Sequence, residues 1–353
     1  MTTPTTTPFI GRLRSGSRAP RPYLGLPGWN TGLIVLIVVT AIWASMSSSA
    51  FLNAGQLFAA GQSAVVTAIL ALGLAMVVIV GEIDISLPSG LALCTVLVGI
   101  AANAGVPGAL VIVIALVAGM GLGLLNGVLV AVCGMPSLAV TLGTMGAYQG
   151  TAYLIGGDSG YTTFPNSVQN IGTGHVGAVP ISLIVFVFVA LVFAAILSAT
   201  TLGRSMYVVG RSAEVVRRNG SSVVAAKLFA FGLGGLTSGI AALVFVGYYG
   251  SGSGSAASGS ILLVVTAVAL GGLDIYGGTG RISSVVFSLV LIGVLQDGMG
   301  LLNVNTTLQT IIIGLLLILS LSGSRLLTGG RGALLPPFLR RSRTGTPSTT
   351  INS

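Results

Sequence analysis

The chain has 353 residues, 53% of them hydrophobic and 6% charged, with a formal net charge of +9 at pH 7. A soluble domain carries about 25% charged residues, so this inventory excludes an ordinary water-facing surface; two cysteines and one histidine also exclude a disulfide framework and a metal cluster. The 53 glycines are scattered among Val, Leu, Ile and Ala without a period, which excludes collagen and suits helices whose backbones pack closely in lipid.

Residues 1–28 are rich in Thr and Pro and hold Arg12, Arg14, Arg18 and Arg21; they read as a disordered cytoplasmic tail. The transmembrane domain is placed at 29–327, and a second cytoplasmic tail at 328–353. A helix needs about 20 apolar residues to cross a bilayer. Ten runs qualify: 32–48, 57–80, 87–104, 109–132, 137–155, 181–202, 223–249, 258–273, 282–302 and 306–327. The first ends on Ser48-Ser49-Ala50, which resembles a signal-peptide cleavage site, but as one of a series it is more simply an uncleaved span. The first and eighth runs are short, so a tilted or re-entrant arrangement stays open at both. All ten are continuous rather than alternating, which predicts an all-α polytopic bundle and not a β-barrel.

With the N-terminus cytoplasmic, the ten crossings put 200–222, 274–281 and the C-terminal tail on the same side. All fifteen basic residues then share that side, including Arg204, Arg211, Arg217, Arg218, Lys227 and Arg281, while the opposite loops hold none. So complete a bias predicts span number and orientation together. It also explains the basic charge without nucleic acid, because cationic flanks meet anionic lipid headgroups.

Several polar positions stand out. Residues 81–90 read GEIDISLPSG, and two carboxylates beside an apolar run are costly at membrane depth. Asp84 and Ser86 are expected to cap the following helix, with Pro88 in its first turn; a substrate or proton site is the other reading. The G-x-x-D-I pattern of Gly81 to Ile85 returns at Gly271 to Ile275, a weak internal echo of the kind transporters contain. Asn126 and the Gln296-Asp297 pair lie inside apolar runs, where polar groups face neighbouring helices or line a pathway. Residues 201–220 form the longest cytoplasmic connection. Ser212 is expected to cap a short helix over 213–218 ending at Gly220, serving either as a solvated linker or as a docking element. The outer loop 156–180, with Asp158, Tyr161, Gln169 and His175, is a connector or a partner surface. No G-x-x-x-x-G-K-[ST], G-x-S-x-G or H-E-x-x-H occurs, so neither a nucleotide cradle nor a catalytic constellation is present.

Four ordered stretches resemble one family. Gly81-Glu82-Ile83-Asp84-Ile85-Ser86 resembles G-G-I-D-L-S. Asn126-Gly127-Val128-Leu129-Val130, Pro136 and Thr141-Leu142-Gly143-Thr144 resemble N-G-x-L-V … P … T-L-G-T. Gly203-Arg204, Tyr207, Gly210, Ala213 and Gly220 resemble G-R-x-x-Y-A-x-G-x-N-x-x-A-x-x-x-G, and Leu270 to Arg281 resembles L-G-G-x-x-x-x-G-G-x-G-R. Over about residues 50–325 the chain resembles the permeases of ribose-type ABC importers (ribose, xylose, rhamnose, galactose, autoinducer-2), the rhamnose and autoinducer-2 branch most closely. It departs from the family at Leu87-Pro88-Ser89 and at Arg211-Ser212. The resemblance implies a permease without cofactor or catalytic residue, in a bacterial inner membrane with both termini cytoplasmic. It implies a second permease copy or a related permease, a cytoplasmic sugar-type ATPase and an extracytoplasmic sugar-binding protein. It makes Gly203, Arg204, Tyr207, Gly210, Ala213, Glu214 and Gly220 the ATPase-coupling loop, and a polar path including Asp84, Asn126, Gln296 and Asp297 the route for a monosaccharide. Ion-coupled transport through Glu82, Asp84 or Asp297, and branched-chain amino acid import, are the competing readings.

Overall fold

All ten apolar runs fold as helices in the computed structural model, which describes residues 29–157, 160–218, 222–256 and 258–328. Both tails and Gly220 lie outside the described residues. In chain order the helices are α1 (Trp29–Ser47), α2 (Ala54–Ile79), α3 (Leu87–Asn103), α4 (Gly108–Ala131), α5 (Ser137–Gly156), α6 (Asn166–Thr173) and α7 (Ile181–Ala199). They continue with α8 (Thr201–Arg211), α9 (Ala213–Arg218), α10 (Val223–Tyr249), α11 (Ser260–Leu270), α12 (Ile282–Leu301) and α13 (Thr306–Thr328). A two-residue hairpin, β1 (His175–Val176) and β2 (Val179–Pro180), follows α6.

The ten are not equal spans. Among the described residues, six (α1, α2, α4, α7, α10 and α12) are long and apolar enough to cross a membrane unaided. The eighth run was expected to reach 258–273, but α11 covers only 11 residues, about 16 Å of helix against a hydrocarbon core of about 30 Å. The Ser/Gly segment that precedes it packs against the middle of α3 without being helical. Tyr161 and Gly252 exchange backbone hydrogen bonds of 2.8 and 2.9 Å, the Thr95 hydroxyl in the middle of α3 donates to the Ser253 carbonyl at 3.4 Å, and the Gln149 amide donates to the Gly254 carbonyl. Non-helical backbone survives at that depth only where protein encloses it.

Two helices form the interior. α2 and α10 are buried along most of their length, whereas α1, α4 and α7 turn most of their surface outward. α4 crosses α10 through glycines at a four-residue spacing, Gly119 and Gly123 against Gly235 and Gly239. A Cβ at Gly119 would lie 2.5 Å from the Gly235 carbonyl oxygen and 2.6 Å from the Gly239 nitrogen. The two backbones therefore touch, which is how helices gain packing in lipid without a hydrophobic driving force. The connection between α5 and α7 is likewise packed: Gly172 of α6 sits on the Gly247–Tyr248 backbone of α10, where a Cβ has no room.

Candidate functional site

The connection after α7 contains two helices where one was expected. α8 begins at Thr200, whose hydroxyl accepts from the Gly203 amide at 2.9 Å. It buries Gly203, Met206, Tyr207 and Val209 and exposes Leu202 and Arg204. Sequence reading missed it because run 181–202 was carried through the helix break at Thr200. The small and apolar residues at 203, 206, 207 and 210, spaced as one helix face, were the available signal.

The buried face of α8 meets two other connections. The Tyr207 hydroxyl donates to the Gly280 carbonyl at 2.9 Å, and Arg211 Nε donates to the Gly278 carbonyl at 3.0 Å. The Gly278 amide donates to the Ile79 carbonyl at 2.9 Å, at the end of α2. Gly210 lies between them; a Cβ there would overlap the Ile79 carbonyl oxygen and the Gly278 nitrogen. Gly277, at φ 88°, packs on the Gly81 backbone. Burial pushes the Tyr207 hydroxyl above its usual range, with the Arg281 cation offsetting part of this, so the hydroxyl keeps its proton and donates. Of the expected coupling residues, Gly203, Tyr207 and Gly210 therefore face the bundle. Arg204 and Glu214 are exposed, Ala213 is half-buried, and Glu214 pairs with Arg218 at 2.9 Å on the exposed side of α9, a contact of little energetic weight.

The two echoed segments lie side by side in this junction. Asp84 Oδ1 accepts from the Ser86 amide at 2.9 Å, and Asp274 Oδ1 accepts from the Tyr276 amide at 3.0 Å. Both are the same side-chain turn, in which the carboxylate closes onto the backbone two residues on. Their surroundings differ, for Asp84 is fully buried and Asp274 exposed.

The expected capping of α3 takes another form. The Ser86 hydroxyl donates to Asp84 Oδ1 at 2.6 Å instead of accepting from the first turn of α3, and it accepts from Asn126 Nδ2 at 2.8 Å. Asn126 Nδ2 also lies 3.4 Å from Asp84 Oδ2, and Tyr148 donates to Asn126 Oδ1 at 3.3 Å. Asp84 and Asn126 thus belong to one enclosed cluster joining α3, α4 and α5, with hydrogen-bond donors where a cation would otherwise be needed. Beside it Glu82 pairs with Lys227 of α10, both side chains largely shielded (14% and 21% exposed). A double-mutant cycle with Glu82→Gln and Lys227→Met, read from unfolding in detergent, is expected to give a coupling of about 1 kcal/mol or more, above the exposed-pair range. A coupling near zero would make the pair incidental.

Gln296 and Asp297 lie elsewhere. They line a cavity of about 420 Å³ between α2, α11, α12 and the C-terminal end of α10. Gln56, which sequence reading did not single out, donates to Asp297 Oδ1 at 2.7 Å across 241 residues. A lone glutamine at the start of an apolar run carries no signal of such a partner.

The profile of the family described as "Branched-chain amino acid transport system / permease component" matches residues 57–321. The autoinducer 2 import system permease protein LsrD of Yersinia enterocolitica is 32% identical over 302 residues, covering 84% of this chain and 91% of that protein. The LsrD proteins of Yersinia pseudotuberculosis and Yersinia pestis match over the same extent at 32% and 31% identity. No solved structure matches significantly.

Proposed function

The chain belongs to the branched-chain amino acid transport system / permease component family, and from that premise we propose how this multi-pass import permease, a transport subunit rather than an enzyme, works. It pairs with a second permease, identical or related, on a cytoplasmic ATPase. An extracytoplasmic binding protein delivers a small sugar-like solute. The observation that carries this reading is the fastening of α8 by Tyr207, Gly210 and Arg211 to the α11–α12 connection and, through Gly278, to the end of α2.

The exposed side of α8 and α9 offers Leu202, Arg204, Val215 and Arg217, a mixed apolar and cationic surface suited to a protein in the cytosol. When ATP closes the partner, α8 moves with it. Because Gly210 sets the α8 backbone directly on Ile79 and Gly278, little slack separates α8 from α2 and the α11–α12 connection, and the bundle switches between outward and inward access. The inner cluster around Asp84 and the outer cavity at Asp297 then stand at opposite ends of the route. The relatives' name, autoinducer 2 import permease, supports a sugar-like solute and makes autoinducer 2 the first probe.

Uptake of autoinducer 2 is expected to stop when ATP is depleted and to persist when an uncoupler collapses the proton gradient at constant ATP. The reverse pattern would establish ion coupling, and competition by leucine would establish an amino acid importer. Orientation has its own test, in a Cys133→Ser background. Gln169→Cys on α6 is expected to react with an impermeant thiol reagent in intact cells, and Arg217→Cys on α9 only after permeabilisation. External reaction at position 217 would reverse the topology.

A further inference from the structure

The Asp297 carboxylate is only half satisfied. Oδ1 accepts from Gln56, while Oδ2 is buried and has no hydrogen-bond partner among the described residues. A carboxylate oxygen left unpaired inside a membrane protein is costly. The ion pairs among the described residues, Glu214 with Arg218 and Glu82 with Lys227, leave no cation beside it. No group of three metal-ligating side chains occurs among the described residues either.

The surroundings of Asp297 narrow what it accepts from. The cavity of about 420 Å³ falls within the range of small-molecule sites. Its walls combine Leu289 and Ile292 with the hydroxyls of Ser63 and Thr67 and the Gln296 amide, and Tyr249 offers an aromatic face. A neutral solute with several hydroxyl donors meets each of these groups. Once the carboxylate turns about its Cβ–Cγ bond to bring the enclosed Oδ2 into the cavity, one hydroxyl donates to Oδ2, others exchange hydrogen bonds with Ser63, Thr67 and Gln296, and its C–H faces lie against Leu289, Ile292 and Tyr249.

We propose that this cavity is a binding station for a pentose-sized, polyhydroxylated solute, with Asp297 Oδ2 the acceptor that selects a hydroxyl donor and Gln56 the positioning residue that orients the carboxylate. This assignment rests on the import-permease reading and deepens it: a solute released at the outer face stops here before the bundle switches.

The test uses the full chain in its membrane with Cys133→Ser, and either Ser63→Cys or Gly293→Cys as a reporter on the cavity wall. A Cβ at Gly293 meets nothing within 4 Å, so that substitution has room. The reporters are expected to react with an impermeant thiol reagent from outside, and millimolar autoinducer 2 or ribose to slow the reaction several-fold. Adding Asp297→Asn is expected to raise the half-protecting concentration by roughly tenfold to a hundredfold, the size of a lost charge-assisted hydrogen bond. Asp297→Glu should recover part of it, and Gln56→Leu should weaken protection less than Asp297→Asn. Protection indifferent to Asp297→Asn overturns the proposal, as does a lack of reaction at both positions. Protection needs no ATP, so the two readings separate. Import of a probe without protection removes the site and keeps the permease. Asp297-dependent protection without import keeps the site and removes the transport reading for that probe, and neither result removes both for this solute class.

Discussion

Gly210→Ala is expected to reduce ATP-driven uptake by roughly tenfold to a hundredfold while leaving the amount of inserted protein close to normal. The added Cβ would overlap the Ile79 carbonyl oxygen and the Gly278 nitrogen, both backbone atoms that cannot rotate away. α8 must therefore back off from the bundle, and the 2.9 Å bond from the Gly278 amide to the Ile79 carbonyl must stretch or break. An overpacked contact of this kind costs about 1–3 kcal/mol, and each 1.4 kcal/mol is about tenfold in an equilibrium. Insertion is spared because the overlap touches only the last residue of α2 and leaves the apolar length of every span unchanged. Gly121→Ala on α4 is the control, since a Cβ there meets nothing within 4 Å, and near-normal uptake is expected. Uptake per inserted molecule, by labelled solute and immunoblot, decides the matter. Full activity in Gly210→Ala would detach α8 from the transport cycle.

Asn126→Leu is expected to have the largest effect on stability. Asn126 holds Ser86 at 2.8 Å, lies 3.4 Å from Asp84 Oδ2 and accepts from Tyr148. Leucine removes all three contacts and leaves Asp84 Oδ2 facing apolar surface. The cost is about 3 kcal/mol or more, because the stranded partner is a carboxylate. Asp84→Asn combined with Asn126→Leu removes the carboxylate while keeping an acceptor for the Ser86 amide and hydroxyl, and should be milder than Asn126→Leu alone. That inversion separates a stranded charge from a simple loss of packing. The temperature at which half of the solubilised protein stays monodisperse orders the three proteins, and a double variant worse than the single would refute the argument.

The membrane class, the helical fold and the family were readable along the chain. Six charged residues in every hundred leave no way to build a soluble surface, and the apolar runs coincide with helices almost end to end. The misses have local causes. Gly and Ser at 250–259 carry no charge and no period, so nothing along the chain signalled that residues 252–254 pack against Thr95, Tyr161 and Gln149. α8 was hidden because the apolar run ahead of it continues through Thr200 to Leu202. Asp84 and Ser86 were expected to serve a helix end, and their partner proved to be Asn126, about 40 residues away.

Hydropathy and helical period are sums over neighbouring residues, so the sequence by itself determined where helices form and that lipid surrounds them. Pairing between distant residues depends on how the helices cross, and no local sum contains it. Only the tertiary structure decided that Gly81, Gly210 and Gly277 meet at one junction, that Gln56 turns to Asp297, and that α11 stops half-way. The junction follows from close backbone approach, where glycine lets turns touch and any other residue would hold them apart.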